Sequence, residues 1–138
     1  MASRDWGEIN FVINLIYEPL LAALFSRDLV MRFAPRHGDS VTPTIAEGAE
    51  DDRQYRQLAA SALAKFLIEQ DAGNVATMEG WLALWTPRVF KATAALAPLF
   101  EMTDIKVDTF AAANARVTEQ WGALIADIGL KTPSEVAA

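Results

Sequence analysis

Few side chains in this sequence could carry out acid-base, nucleophilic or metal chemistry, and their spacing restricts what they could do. His37 is the only histidine, in the string Ala34-Pro35-Arg36-His37-Gly38-Asp39-Ser40. An imidazole titrates near neutrality, so His37 is a candidate proton carrier, although the same residue in a solvated loop needs no function. With Asp39 and Ser40 beside it, a Ser-His-Asp nucleophile is conceivable. The strand, sharp turn and helix that expose such a serine are missing from the pattern, which argues against it. Glu18 lies in the most apolar stretch, between Tyr17 and Pro19, where an ionised carboxylate needs a cation. Arg27, Arg32 or Arg88 is the expected partner; the alternative is an acid in a pocket. Trp81, Trp85 and Trp121 could wall a site for a small apolar ligand, yet each falls on or beside a helical core stripe.

Other chemistries are excluded by composition. The chain has no cysteine, so disulfides, thiolate metal sites and a cysteine nucleophile are all ruled out. A di-iron carboxylate bundle draws on two Glu-x-x-His motifs, and none occurs here. No glycine-rich phosphate loop of either common pattern is present. A net charge of −6 opposes binding to nucleic acid, whose affinity comes from clustered Lys and Arg. No catalytic, cofactor-binding or metal-ligating residue is therefore assigned to this chain.

With 138 residues, 52% of them hydrophobic and 22% charged, the sequence reads as one soluble domain able to bury its own core. The start, Met1-Ala2-Ser3-Arg4-Asp5, lacks the pattern of a signal peptide. The apolar stretch Phe11 to Phe25 is too short and too interrupted for a membrane span, and a cytoplasmic location is expected.

The elements that must position any site are helices. Four segments carry a period of three and four, and strand alternation is missing, which predicts an all-α bundle. The first helix is expected from about Asp5, capped by Ser3, to Phe33, with a kink one turn before Pro19. It is apolar on nearly every side and therefore asks for neighbours all round. Residues 34–44 read as a loop. A second helix is expected to start in the acidic group Glu47, Glu50, Asp51 and Asp52 and to run to about Gln70. Its buried stripe would be Tyr55, Leu58, Ala59, Ala62, Leu63, Phe66 and Leu67, opposite Arg53, Arg56, Lys65 and Glu69. A third segment, capped by Asn74, reaches about Phe100, and Pro87 either kinks it or divides it. A fourth begins near Asp108 and ends at Gly129. Residues 1–130 form a single helical domain on this reading, and 131–138 a mobile tail.

Several strings carry a resemblance. Val12-Ile13-Asn14-Leu15-Ile16-Tyr17-Glu18-Pro19-Leu20, then Arg32 to Thr44, resemble the β subunit of bacterial multicomponent monooxygenase hydroxylases of the propane and alkene type. Gly80-Trp81-Leu82-Ala83-Leu84-Trp85-Thr86-Pro87, Ala95-Leu96-Ala97-Pro98-Leu99-Phe100 and Ile128-Gly129-Leu130 resemble the same subunit in the same order. The resemblance covers roughly Trp6 to Leu130 and only the C-terminal part of those longer subunits. A fragment, a split subunit or a reduced relative would each explain that. It implies a ferritin-like helical bundle paired with an α subunit that holds the non-haem di-iron centre. In that family β is a scaffold without iron ligands, and a reductase and a small coupling protein complete a system that oxidises small hydrocarbons with NADH and O2. The expected role is thus a non-catalytic hydroxylase subunit, and Leu20→Asp is expected to abolish its assembly. The rival is a stand-alone or homodimeric bundle with a small apolar ligand among the tryptophans, and weaker still is an enzyme using Glu18 or His37.

Overall fold

The computed structural model describes residues 5–102 and 109–133. The described residues are helical with no strand, as the periodicity predicts. Four long helices, α1 (Trp6–His37), α2 (Val41–Gln70), α3 (Gly73–Ala94) and α5 (Phe110–Ile128), carry the architecture, with a short α4 (Ala97–Glu101) after α3.

Helix α1 is the central element and packs against α2, α3 and α5. Asp5 opens it, its carboxylate accepting from Gly7 N at 2.8 Å; the expected cap, Ser3, lies outside the described residues. The predicted proline kink takes another form. From Ile13 to Ala22 and again from Leu24 to Val30 the helix widens to π turns, with Ala23 N donating to Glu18 O five residues back. Pro19 has no N–H to offer the carbonyl of Leu15, and the helix is wide on either side of that gap. Phe11, Leu15, Ile16, Leu20 and Leu24 line its buried side, each worth about 1.5–3 kcal/mol on full burial. By length and composition α1 could cross a membrane; in this fold it is the core helix.

Beyond Phe33 the helix does not stop before Pro35 but tightens into a 3₁₀ turn, Ala34–His37. Gly38, at φ +80, closes that turn in the left-handed region that glycine enters without a Cβ clash. Helix α2 then starts at Val41, well before the acidic group expected to open it. The cause is Asp39, whose Oδ1 accepts from the N–H groups of Val41 and Thr42, both at 3.0 Å. Pro43 is tolerated because the first-turn N–H groups of a helix have no intrahelical partner. Residues 41–44, read as loop, are therefore helix.

Between α2 and α3 the chain turns within Asp71 and Ala72. Asn74, expected to cap α3, instead donates its side-chain amide to Leu67 O at 2.8 Å and so closes α2. Asp71 accepts from Gly73 N at 2.8 Å. Helix α3 runs unbroken through Pro87, and the chain breaks at Ala95 and Leu96 instead, with Pro98 in the first turn of α4. Its buried stripe is Met78, Leu82, Thr86, Val89 and Thr93, so two threonines lie on its inner side.

Thr109 caps α5, accepting from Ala112 N at 3.1 Å, while the proposed start at Asp108 lies outside the described residues. Gly129, at φ +91, ends α5 where the sequence places the stop, and Leu130 folds back into the core. Of the expected tail, Lys131 N donates to Glu79 Oε1 at 3.1 Å, and 134–138 lie outside the described residues.

Candidate functional site

The residues first suspected of chemistry do not assemble into an active site. The ring of His37 stacks on Phe33, centroids 4.2 Å apart. Asp39 directs its carboxylate to the start of α2, and hydrogen bonds from Thr42 hold it below the usual aspartate range. Ser40 accepts from the Thr44 hydroxyl through its backbone oxygen at 3.0 Å. Each member of the conceivable triad thus serves a local turn.

Glu18 faces Arg56 of α2 at 3.6 Å, and none of the three expected arginines. Arg27 and Arg32 converge instead on Asp28, together with Arg116 of α5. The Asp28 side chain has no exposed surface, and its two oxygens receive all three guanidinium groups at 2.9–3.3 Å. This cluster ties α1 to α5, and removing its one carboxylate would leave three partly exposed guanidinium groups crowded together without their shared counter-charge.

The three tryptophans are separated. Trp81 packs against Phe11 with the rings tilted and their centroids 5.5 Å apart, and Trp85 donates to Glu8 at 2.7 Å beneath Arg88. Trp121 packs edge-on to Phe90 and bonds to Leu15 O. They share no common pocket of the kind the sequence suggested.

No three His, Cys, Asp or Glu side chains come together among the described residues. A di-iron centre needs facing carboxylates and two histidines, and one histidine in a 3₁₀ turn beside an aromatic ring does not fit such a group.

What stands out is a surface. The stripe of α2 expected to be buried faces outward: Tyr55 is 76% exposed, Leu58 68% and Phe66 54%, with Ala59 and Ala62 exposed between them. Of the residues expected in solvent, Arg53 alone, at 7%, is turned inward and buried beside Glu50, while Arg56 and Glu69 stay exposed. Arg53 Nε donates to Glu50 Oε2 at 2.8 Å, its NH2 to Oε1, and NH1 to Gln57 Oε1 at 3.0 Å. These bonds, chiefly those from Arg53, hold the Glu50 carboxyl below its usual range against the opposing effect of burial. Small residues, Ala46, Ala60, Ser61 and Ala64, let α2 lie close to α1 on the same inner side.

A second bare apolar line runs along α1. Ile9, Ile13, Tyr17 and Phe25 are 43–45% exposed, and they recur at intervals of four or eight. Helix α1, apolar on nearly every side, thus has one side buried in the core and a seam of half-exposed apolar side chains. Isolated exposed apolar residues are ordinary, whereas ordered rows of them mark contact with another protein surface.

Exposed apolar rows on an all-α bundle are the build of a subunit, and the relatives to which this chain is similar are hydroxylase subunits. Residues 1–71 match the family described as Methane/Phenol/Alkene Hydroxylase, and the chain belongs to that family, with its ferritin-like helical bundle. It is 35% identical over 98% of its length to the propane 2-monooxygenase hydroxylase component small subunit of Rhodococcus jostii (strain RHA1), and 33% identical to that of Mycolicibacterium goodii. Over 69% of its length it is 28% identical to the toluene-4-monooxygenase system hydroxylase component subunit beta of Ectopseudomonas mendocina. The chain spans 38% of the length of the two propane relatives.

Proposed function

We propose that this chain is a non-catalytic structural subunit, or part of one, in the hydroxylase component of a di-iron monooxygenase that oxidises small hydrocarbons with O2 and NADH in the cytoplasm. The observation that carries this reading is the outward apolar row of α2, Tyr55, Leu58 and Phe66, on a chain whose relatives are hydroxylase small and beta subunits. On this reading the di-iron centre resides in a partner α subunit, and this chain holds the helices of that partner in place.

Full burial of a large apolar side chain is worth about 1.5–3 kcal/mol. Three such residues on α2 scarcely meet an association cost of roughly 4–15 kcal/mol, so the seam on α1 must contribute as well. Both rows would then be covered in the assembly.

The test must separate assembly from folding. Leu20, expected from sequence to report on assembly, is 1% exposed in the core, so Leu20→Asp would unfold the chain itself. Leu58→Asp and Phe66→Asp avoid that difficulty because both side chains already face water. With the tagged chain purified from its host, an iron-containing assembly is expected that includes a subunit with two Glu-x-x-His motifs. Either variant should lose that subunit while keeping the helical circular dichroism of the unaltered chain. An iron-free monomer or homodimer from the unaltered chain would overturn the reading.

A further inference from the structure

We propose that the groove between α2 and α5 receives an acidic side chain of the partner α subunit, carried on an apolar segment that lies along the groove. The inference rests on the subunit reading above and adds to it a charged contact beside the outward row of α2. The groove has a volume of about 490 Å³, with the buried Pro19 and Ala23 of α1 at its base and Leu58, Ala62, Trp121 and Leu124 supplying its apolar sides. Leu58 and Ala62 also belong to the exposed row, so a partner laid on that row reaches the groove without a break. From Arg53 to Lys65 the α2 side runs roughly 18 Å at 1.5 Å per residue, the length of a peptide segment and not of one side chain.

Charge decides the kind of segment. The chain carries −6 overall, yet the groove is lined by three cations, Arg27, Arg53 and Lys65, and one anion, Asp127. Lys65 and Asp127 pair with each other at 2.8 Å, and Arg53 is spent on Glu50 and Gln57. Arg27 is the cation with capacity left. Its Nε and NH2 donate to one oxygen of Asp28 at 3.3 and 3.0 Å, and that carboxylate is shared with Arg32 and Arg116.

The NH1 group of Arg27 has no acceptor among the described residues. It is open to water, because the Thr86 hydroxyl is the one side-chain group among those residues that is both sealed and unpaired. A guanidinium presents its donors in a planar fork that matches a carboxylate, so a second acid can be received while Asp28 is kept. Gln57 accepts from Arg53 through Oε1, which leaves its amide N–H groups as further donors in the groove. The positive field of Arg27 also reaches α2: hydrogen bonds from Arg53 chiefly lower the Glu50 pKa, and the charge of Arg27 adds to the effect.

Mass photometry of the complex purified through the tagged chain, over a dilution series, gives the dissociation constant for the α subunit. Arg27→Gln should weaken the complex about tenfold in about 50 mM NaCl, the worth of a charge-assisted hydrogen bond. That variant also removes a partner of Asp28, so Gln120 provides a second test: it lines the groove from α5 and is exposed, and replacing it leaves the core untouched. Gln120→Glu should weaken the complex about threefold and Gln120→Lys should tighten it by a similar factor, both with the helical signal of the parent. Both effects should fade in about 1 M NaCl, where the screening length is about 3 Å. A complex indifferent to the charge at position 120, or strengthened by the negative one, would overturn the proposal and leave the subunit reading standing. An iron-free monomer or homodimer from the unaltered chain would overturn both.

Discussion

The indole Nε1 of Trp121 donates a 2.8 Å hydrogen bond to the backbone carbonyl of Leu15, joining residues 106 positions apart inside the core. The carbonyl is the one that Pro19 deprives of its ordinary helical donor, so a defect in α1 is met by a side chain from α5. Local sequence creates the need, and tertiary packing meets it.

Trp121→Phe tests this bond with the aromatic bulk largely kept. The variant should unfold at lower urea concentration, with stability reduced by about 1–3 kcal/mol, the cost of a buried carbonyl left without its donor. Phe90→Leu, which keeps the indole bond, should cost less. A stability equal to that of the unaltered chain would show that the π turn alone satisfies Leu15.

Glu50 makes stability depend on acid pH. Its carboxyl is held below the usual range, chiefly by the hydrogen bonds of Arg53, so the folded state favours the charged form. Its contribution is complete above the ordinary glutamate value of 4.5 and is lost as pH falls through the lower folded value. Urea midpoints measured from pH 7 downward should therefore fall below about pH 4.5. Glu50→Gln should be less stable at pH 7 and show a flatter acid limb.

Two glycines should respond in opposite directions. Gly48 sits within α2 with open space where a Cβ would go, so Gly48→Ala should raise stability by about 0.5–1 kcal/mol. Gly129, at φ +91, occupies the left-handed turn that ends α5, and Gly129→Ala should lower stability by about 1–2 kcal/mol. Thermal melts of the two variants beside the parent would show the opposite shifts.

Much of the fold is legible from residue types alone because it depends on local rules. The helical period, the stop at Gly129 and the absence of strands among the described residues each follow from interactions within a few residues, and the quoted strings led to the family that the comparisons show. Boundaries were less legible where one side chain could do two jobs. Asp39 reads as a loop residue or a catalytic acid, and its capping of α2 emerges only when the backbone of Val41 and Thr42 is placed.

Which side of α2 faces inward was not legible at all. Its apolar stripe is plain in the sequence, and a chain considered alone would bury it. The tertiary structure turns it outward instead. Ala60, Ser61 and Ala64 allow close approach to α1, while Glu50 and Arg53 neutralise each other and can be buried as a pair. Periodicity reports that a helix has two faces; it carries no information on what each face meets. The sequence by itself determined the helices, their family and the absence of the usual catalytic motifs. Only the packing of one helix on another decided that this apolar row would be left exposed, because burial is a property of neighbours and not of residues.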